Sequence, residues 1–341
     1  METPTLTLLR DPRFNEHIPP SSHLECPQRL NSVYERLDEN AEISSLPLLR
    51  PRSATDEEIL RVHGSDLVRS LKDYSGKAGW IDPDTYYCPK SIEAAWLAAG
   101  STAELALKVW NQETRRGFAM VRPPGHHATP NQSMGFCLVN HIAVAVAAVM
   151  EASAQARVAV VDIDLHHGNG TQDFFYRNPN VLFISSHRFP FYPGTGGLDE
   201  TGEGKGKGLT VNLPLGKRMT GAFMEQLYES VVLPKLREFR PEMIFVSAGF
   251  DGHELDPMEG LDISTSSYLS LNQKLLTVAE ELGGKLLYCL EGGYNPIVLG
   301  DCVTQTCLQL SNQPIGLAAP VNPSTSSPEL IDQFIAYHRV P

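Results

Sequence analysis

The stretch Val158-Ala-Val-Val-Asp162-Ile-Asp164-Leu-His166-His167-Gly-Asn169-Gly decides the fold class. Its first half is a short run of Val and Ile, which suits a strand buried on both faces. Its second half delivers Asp and His where that strand ends. Six more β-rich runs punctuate the chain, at residues 5–9, 118–121, 181–185, 209–213, 243–247 and 285–290. Helical patterns alternate with them, at 27–39, 91–110, 139–154, 222–239, 264–282 and 296–310. Thr55-Asp-Glu-Glu58 reads as the start of another helix, with Thr55 as N-cap and Glu58 closing a capping box. This alternation predicts an α/β fold with a mainly parallel sheet covered by helices on both faces. One domain is expected over 1–312. A Pro/Ser-rich crossing then leads to a last short helix at 328–338, part of that domain or docked on it.

The composition supports a globular chain. Of 341 residues 42% are hydrophobic and 20% charged, which excludes disorder, collagen and a coiled coil as the main state. Lys plus Arg number 28 against 40 Asp plus Glu, a net charge of −12. A chain that acidic lacks the basic footprint that phosphate binding needs, so no direct nucleic-acid partner is expected. The 6 cysteines form no Cys-x-x-Cys pair and read as buried thiols. The longest apolar run, 142–150, is too short for a membrane span, and the first ten residues show no signal-peptide pattern. These features predict a soluble cytoplasmic protein in a reducing environment.

The chemistry gathers after the strands. Arg122-Pro-Pro-Gly-His126-His127 follows one run, His187 and Phe191-Tyr192-Pro-Gly another, Ala-Gly-Phe-Asp251 a third, and Glu291-Gly-Gly-Tyr294 a fourth. In open α/β sheets the ligand crevice lies outside the carboxyl ends of the strands, so these segments meet at one edge. Alternate residues of an extended segment share a face, which puts Asp162, Asp164 and His166 together. Asp164 and His166 can reach one metal, with Asp251 as third ligand. Two carboxylates and one imidazole with an open position suit catalytic zinc or iron. Helix capping is the ordinary use of a lone Asp-x-His, but the second strand-end Asp and the separate His pair favour a metal. His126 and His127, on a stiff turn, are natural proton carriers, with Asp162 and Asn169 available to orient them. The Tyr294 hydroxyl can donate to a developing oxyanion. Phe136 and Tyr192 read as walls of an apolar slot. The glycine-rich stretch 202–208 lacks a phosphate-loop pattern, and neither Gly-x-Ser-x-Gly nor His-Glu-x-x-His occurs.

These motifs, in this order, strongly resemble the histone deacetylase superfamily, which includes acetylpolyamine amidohydrolases and acetoin-utilisation proteins. His23-Leu-Glu-Cys-Pro-Gln-Arg-Leu is similar to its opening helix signature, and the match runs from about residue 10 to 310. The resemblance implies the arginase–deacetylase fold, a single domain with an eight-stranded parallel sheet, and zinc on Asp164, His166 and Asp251. It implies His127 as general base and then acid, His126 assisting beside Asp162, and Tyr294 polarising the amide carbonyl. Gly135, Phe136, Tyr192, Met258 and Gly293 would line the acyl tunnel, with Met258 at its gate. Asp162, Asp164, His166, Ser185 and Ser186 would surround a structural potassium ion. Arg29 would line an inner product channel. Asn169 stands where class I deacetylases carry Asp and class II members Asn, which places the chain with the class II-like, largely bacterial branch.

The expected activity is zinc-dependent hydrolysis of acetyl or other acyl groups from the lysine ε-amine of a protein or peptide, with Fe(II) able to replace zinc. Three rivals share the fold. An acetylpolyamine deacetylase would place a carboxylate such as Glu259 at the gate. A binuclear manganese hydrolase would need a second Asp-x-Asp near Asp251, which is missing. A non-catalytic reader would have lost a ligand or the tyrosine.

Overall fold

A computed structural model describes residues 3–313 and 328–340. The strands are β1 (Leu6–Leu9), β2 (Gly79–Trp80), β3 (Tyr86–Tyr87), β4 (Arg116–Ala119), β5 (Val158–Asp162), β6 (Val181–Arg188), β7 (Thr210–Leu215), β8 (Met243–Ala248) and β9 (Leu286–Leu290). Seven of them form one sheet in the order β1-β4-β9-β8-β5-β6-β7, and every neighbouring pair is parallel. β2 and β3 make a separate antiparallel hairpin. The Val-rich β5 lies mid-sheet between β8 and β6, buried along its whole length.

The resemblance implies eight strands, and the described residues give seven in the main sheet. The place beside β1 is held by one parallel bridge, Leu8 to Leu48. Pro47 and Pro51 flank that bridge, and proline has no N–H for a ladder, so pairing stops there.

Helix Ser91–Trp110 packs on His141–Ala152, and Gln28–Asp38 packs on Pro296–Leu310. The single helix expected over 222–239 is instead Gly221–Leu227, a π-turn at Tyr228–Val232, and Leu233–Phe239. The π-turn ends two residues before Pro234, which can donate no N–H back into it. Thr55 and Glu58 form the expected capping box. The short helix Pro328–His338 buries Ile331 and Phe334 in the main core. Its His338 Nε2 lies 2.9 Å from the Asn212 carbonyl. Most of the crossing expected before it falls outside the described residues. All six cysteines are free, and all but the half-buried Cys26 are buried. No helix among the described residues is long and apolar enough to cross a membrane.

The strand order places the site. From β5 the chain runs outward through β6 to β7, then returns to β8 on the other side of β5. The carboxyl ends of β5 and β8 therefore flank the point where the order reverses, which is where such sheets hold ligands.

Candidate active site

Asp162 is the last residue of β5, and Asp164 and His166 follow it. Asp251 follows β8 after Gly249-Phe250. One ligand atom each from Asp164, His166 and Asp251 fall within 4.8 Å of one another, all three residues being buried. Backbone groups aim the carboxylates. Asp164 Oδ1 accepts from His166 N at 2.8 Å, and its Oδ2 from Gly292 N at 2.9 Å. Asp251 Oδ1 accepts from Leu165 N at 2.9 Å. Asp251 Oδ2 is buried with no hydrogen-bond partner, although it lies 3.0 Å from His166 Nδ1. A buried carboxylate oxygen without a partner is costly, and a cation held between these three side chains removes that cost. The donor set thus fits a divalent metal of the zinc or iron kind. Glycine keeps the space open. A Cβ at Gly292 would sit 2.5 Å from Asp251 Oδ2 and 2.6 Å from Asp164 Oδ2.

The histidine turn follows β4. His126 Nδ1 lies 3.0 Å from Asp162 Oδ2, and His127 Nδ1 lies 2.7 Å from Asn169 Oδ1. Asn169 Nδ2 in turn donates to the His127 carbonyl at 3.3 Å. The two rings are 4.0 Å apart, centroid to centroid. Burial disfavours charge on both, but only one is compensated. The carboxylates of Asp164 and Asp162 lift His126 well above the usual histidine range. Burial and the neighbouring His126 cation hold His127 well below it. The pair therefore divides into a proton-bearing ring and a proton-accepting one.

Tyr294 is buried on the far side, reached through Gly292 and the left-handed Gly293 (φ 123°). Burial holds its hydroxyl well above the usual phenol range, so it stays protonated. The Arg29 guanidinium lies 4.9 Å from its ring centroid. Arg29 also donates to the Gly293 carbonyl at 2.6 Å. The half-buried Phe136 meets Tyr294 edge-to-face at 5.7 Å, and Tyr192 meets His127 the same way at 5.1 Å. Phe136 follows Gly135 in a left-handed pair of residues. A Cβ on Gly135 would lie 2.5 Å from His127 Cδ2. Met258 is half-buried and packs against the core, whereas Glu259 is exposed. Of the residues the potassium expectation names, Asp162 and Ser185 are in register across β5 and β6. The Ser185 hydroxyl pairs with His187 Nδ1 at 2.9 Å, and the Ser186 hydroxyl lies 3.5 Å from that of Tyr228.

Two carboxylates at the site escape sequence reasoning in these positions. Glu291 Oε2 accepts from Gly125 N at 2.7 Å and from His126 N at 3.1 Å. Asp256 Oδ2 accepts from Tyr294 N at 2.6 Å, and its Oδ1 from Met258 N at 3.0 Å. Burial pushes each up to about 7. Glu291 could have been suspected as a strand-end acid next to Gly-Gly-Tyr. Nothing local marks Asp256.

A histone deacetylase domain matches residues 23–310. The chain is similar to a probable deacetylase of Archaeoglobus fulgidus, 39% identical over 285 residues that cover 83% of this chain and 79% of that protein. It is similar to the chloroplastic histone deacetylase 14 of Arabidopsis thaliana, 36% identical over 84% of this chain and 72% of that one. The crystal structure of the HDA15 HD domain superposes with a TM-score of 0.91 at 33% identity, covering 99% of this chain and 95% of that one.

Proposed function

The chain belongs to the histone deacetylase family, and from that membership we propose that it is a zinc-dependent hydrolase removing acetyl or another acyl group from the ε-amine of lysine. One observation carries this reading. His127, with its Nδ1 fixed on Asn169 Oδ1 at 2.7 Å, stands beside the buried Asp164, His166 and Asp251 donors.

Zinc on those three side chains, or Fe(II) in its place, supplies Lewis-acid polarisation and a more acidic water. The protein's own groups move the protons. His127 donates its Nδ1 proton to the Asn169 oxygen, so Nε2 carries the lone pair that takes a proton from the attacking water. His126, whose Nδ1 lies 3.0 Å from Asp162 Oδ2, is favoured in its charged form by that carboxylate, and charge there limits how tightly His127 holds the proton. The Tyr294 hydroxyl donates to the substrate carbonyl oxygen as the carbon becomes tetrahedral. His127 Nε2 then returns the proton to the leaving nitrogen. The C–N bond breaks, and a carboxylate and a free amine result.

Phe136 and Tyr192 are assigned to either side of the acyl chain, with Gly135 leaving room beside His127 and Tyr192 and Gly293 in the turn that carries Tyr294. Met258, half-buried beside an exposed Glu259, supports an apolar gate and so an acyl-lysine in preference to an acylpolyamine. The proposal includes a structural potassium ion at the buried strand ends of Asp162, Asp164, His166, Ser185 and Ser186.

The test compares kcat/KM of the zinc-loaded protein on an acetyl-lysine peptide and on acetylputrescine, with Tyr294→Phe as control. Preference for the peptide supports the lysine reading. Preference for acetylputrescine overturns it and assigns the exposed Glu259 to the distal ammonium. No turnover of either substrate by wild type or by Tyr294→Phe counts against acetyl as the acyl group or favours the non-catalytic reader.

A further inference from the structure

Glu291 joins three parts of the site that come from three different strands. Its backbone continues the β8–β9 ladder, with Glu291 N donating to the Ala248 carbonyl at 3.0 Å. Its carbonyl accepts from the Arg29 guanidinium. The next residue, Gly292, donates to the Asp164 carboxylate at 2.9 Å, and Tyr294 lies two residues beyond that. Glu291 is therefore fixed at both backbone polar groups, in the segment that carries the oxyanion donor.

Its side chain leaves that segment. β9 pairs directly with β4, so the turn after β4 is within reach of the Glu291 carboxylate. One oxygen, Oε2, takes both the Gly125 and His126 amide protons, at 2.7 and 3.1 Å. The side chain is completely buried. The other oxygen, Oε1, has no hydrogen-bond partner, so the carboxylate is held through Oε2 alone. The turn also packs closely against His141: a Cβ on Gly125 would lie 2.8 Å from His141 N.

We propose that Glu291 is the positioning residue for the histidine pair. Its Oε2 gathers two consecutive amides of the turn and sets where the His126 and His127 rings stand relative to Asp164 and Tyr294. The side-chain bonds to Asp162 and Asn169 choose each ring's orientation. Glu291 chooses the position of the backbone from which both rings hang. The catalytic consequence rests on the deacylase reading above, whereas the positional claim stands apart from it. The acceptor oxygen matters here, not the charge, so glutamine should serve and alanine should not.

The experiment uses the full chain as Glu291→Gln, Glu291→Ala and wild type. Amide hydrogen exchange is read at Gly125 and His126, with Val160 in β5 as internal reference. Steady-state kinetics are run on the substrate the wild type prefers. In Glu291→Ala, exchange at Gly125 and His126 should accelerate at least about tenfold with Val160 unchanged. Its kcat should fall about 10–100-fold at near-constant KM, as small misplacements of a catalytic group do. Glu291→Gln should keep the amide protection and most of kcat. Unchanged exchange in Glu291→Ala overturns the proposal. Equal loss of protection in Glu291→Gln overturns it in favour of a charge effect. Acceleration at Val160 to the same extent overturns it in favour of general stability. A wild type inactive on every acyl-lysine substrate would refute the deacylase reading, while the exchange data would still decide the role of Glu291.

Discussion

His127 Nδ1 lies 2.7 Å from Asn169 Oδ1. An amide oxygen can only accept, so the proton on that bond belongs to the histidine, and Nε2 is left unprotonated toward the metal donors. An amide also stabilises the imidazolium less than a carboxylate does. Asn169→Asp should therefore raise the His127 pKa and move the acid limb of kcat/KM to higher pH. Asn169→Ala should cost about 10–100-fold in rate by freeing the ring. An Asn169→Asp profile that superposes on wild type would show that another group governs the acid limb.

Tyr294 meets the reaction through its hydroxyl alone, since its backbone N–H is taken by Asp256 at 2.6 Å. Tyr294→Phe should lower kcat by about 10²–10³, the cost of one oxyanion donor, with KM little changed. Asp256→Ala should act through the same tyrosine, lowering kcat less, because the loop is loosened while the hydroxyl remains. Equal kcat in Tyr294→Phe and wild type would rule out the oxyanion role.

The metal cradle depends on a missing side chain. Gly292→Ala puts a methyl group 2.5 Å from Asp251 Oδ2 and 2.6 Å from Asp164 Oδ2, so at least one carboxylate must turn away. We expect weaker zinc binding, by about tenfold or more, and activity that returns only in excess metal. Asp251→Asn should lose metal outright. Removing metal from the wild type with a chelator should abolish activity, and zinc should restore it. Isothermal titration of the metal-free proteins reads these differences directly. Wild-type affinity in Gly292→Ala would mean that the backbone relaxes around the added carbon.

The strands and the residues they deliver were legible because both are local. Helix Ser91–Trp110 has the ends its pattern predicts, and β5 ends at the expected aspartates. Where the outcome depends on partners distant in sequence, the reading slips. β4 begins at Arg116, two residues before the apolar run, because Arg116 is in register with Leu286 and its buried guanidinium is met by Glu280 and the Leu310 carbonyl. Gly-Asn-Gly reads as a loop, yet the helix Asn169–Phe175 begins there. It is this helix that presents Asn169 to a histidine 42 residues earlier. Glu291 and Gly125 are 166 residues apart. Only the pairing of β4 with β9 brings them together, so their contact has no signature in either segment.

His141 gives a prediction independent of the metal. Its Nε2 lies 2.9 Å from the Pro123 carbonyl, so that nitrogen carries the proton and donates. Its Nδ1 is buried without a partner. Burial pushes this histidine down to about 4, against about 6.5 in the unfolded chain. Between those values the unfolded chain takes up a proton that the folded one refuses. The contribution of His141 to stability is thus constant above about pH 6.5 and is lost as pH falls toward 4. The slope approaches 1.4 kcal/mol per pH unit, about 3 kcal/mol in all. Other buried groups titrate in the same window, so the test is a difference. His141→Gln can still donate to Pro123 and cannot titrate. Urea midpoints of wild type and variant, both metal-free, should favour wild type most at pH 7.5, with the gap closing or reversing by pH 4.5. Parallel curves over that range would show that the folded chain protonates His141 freely.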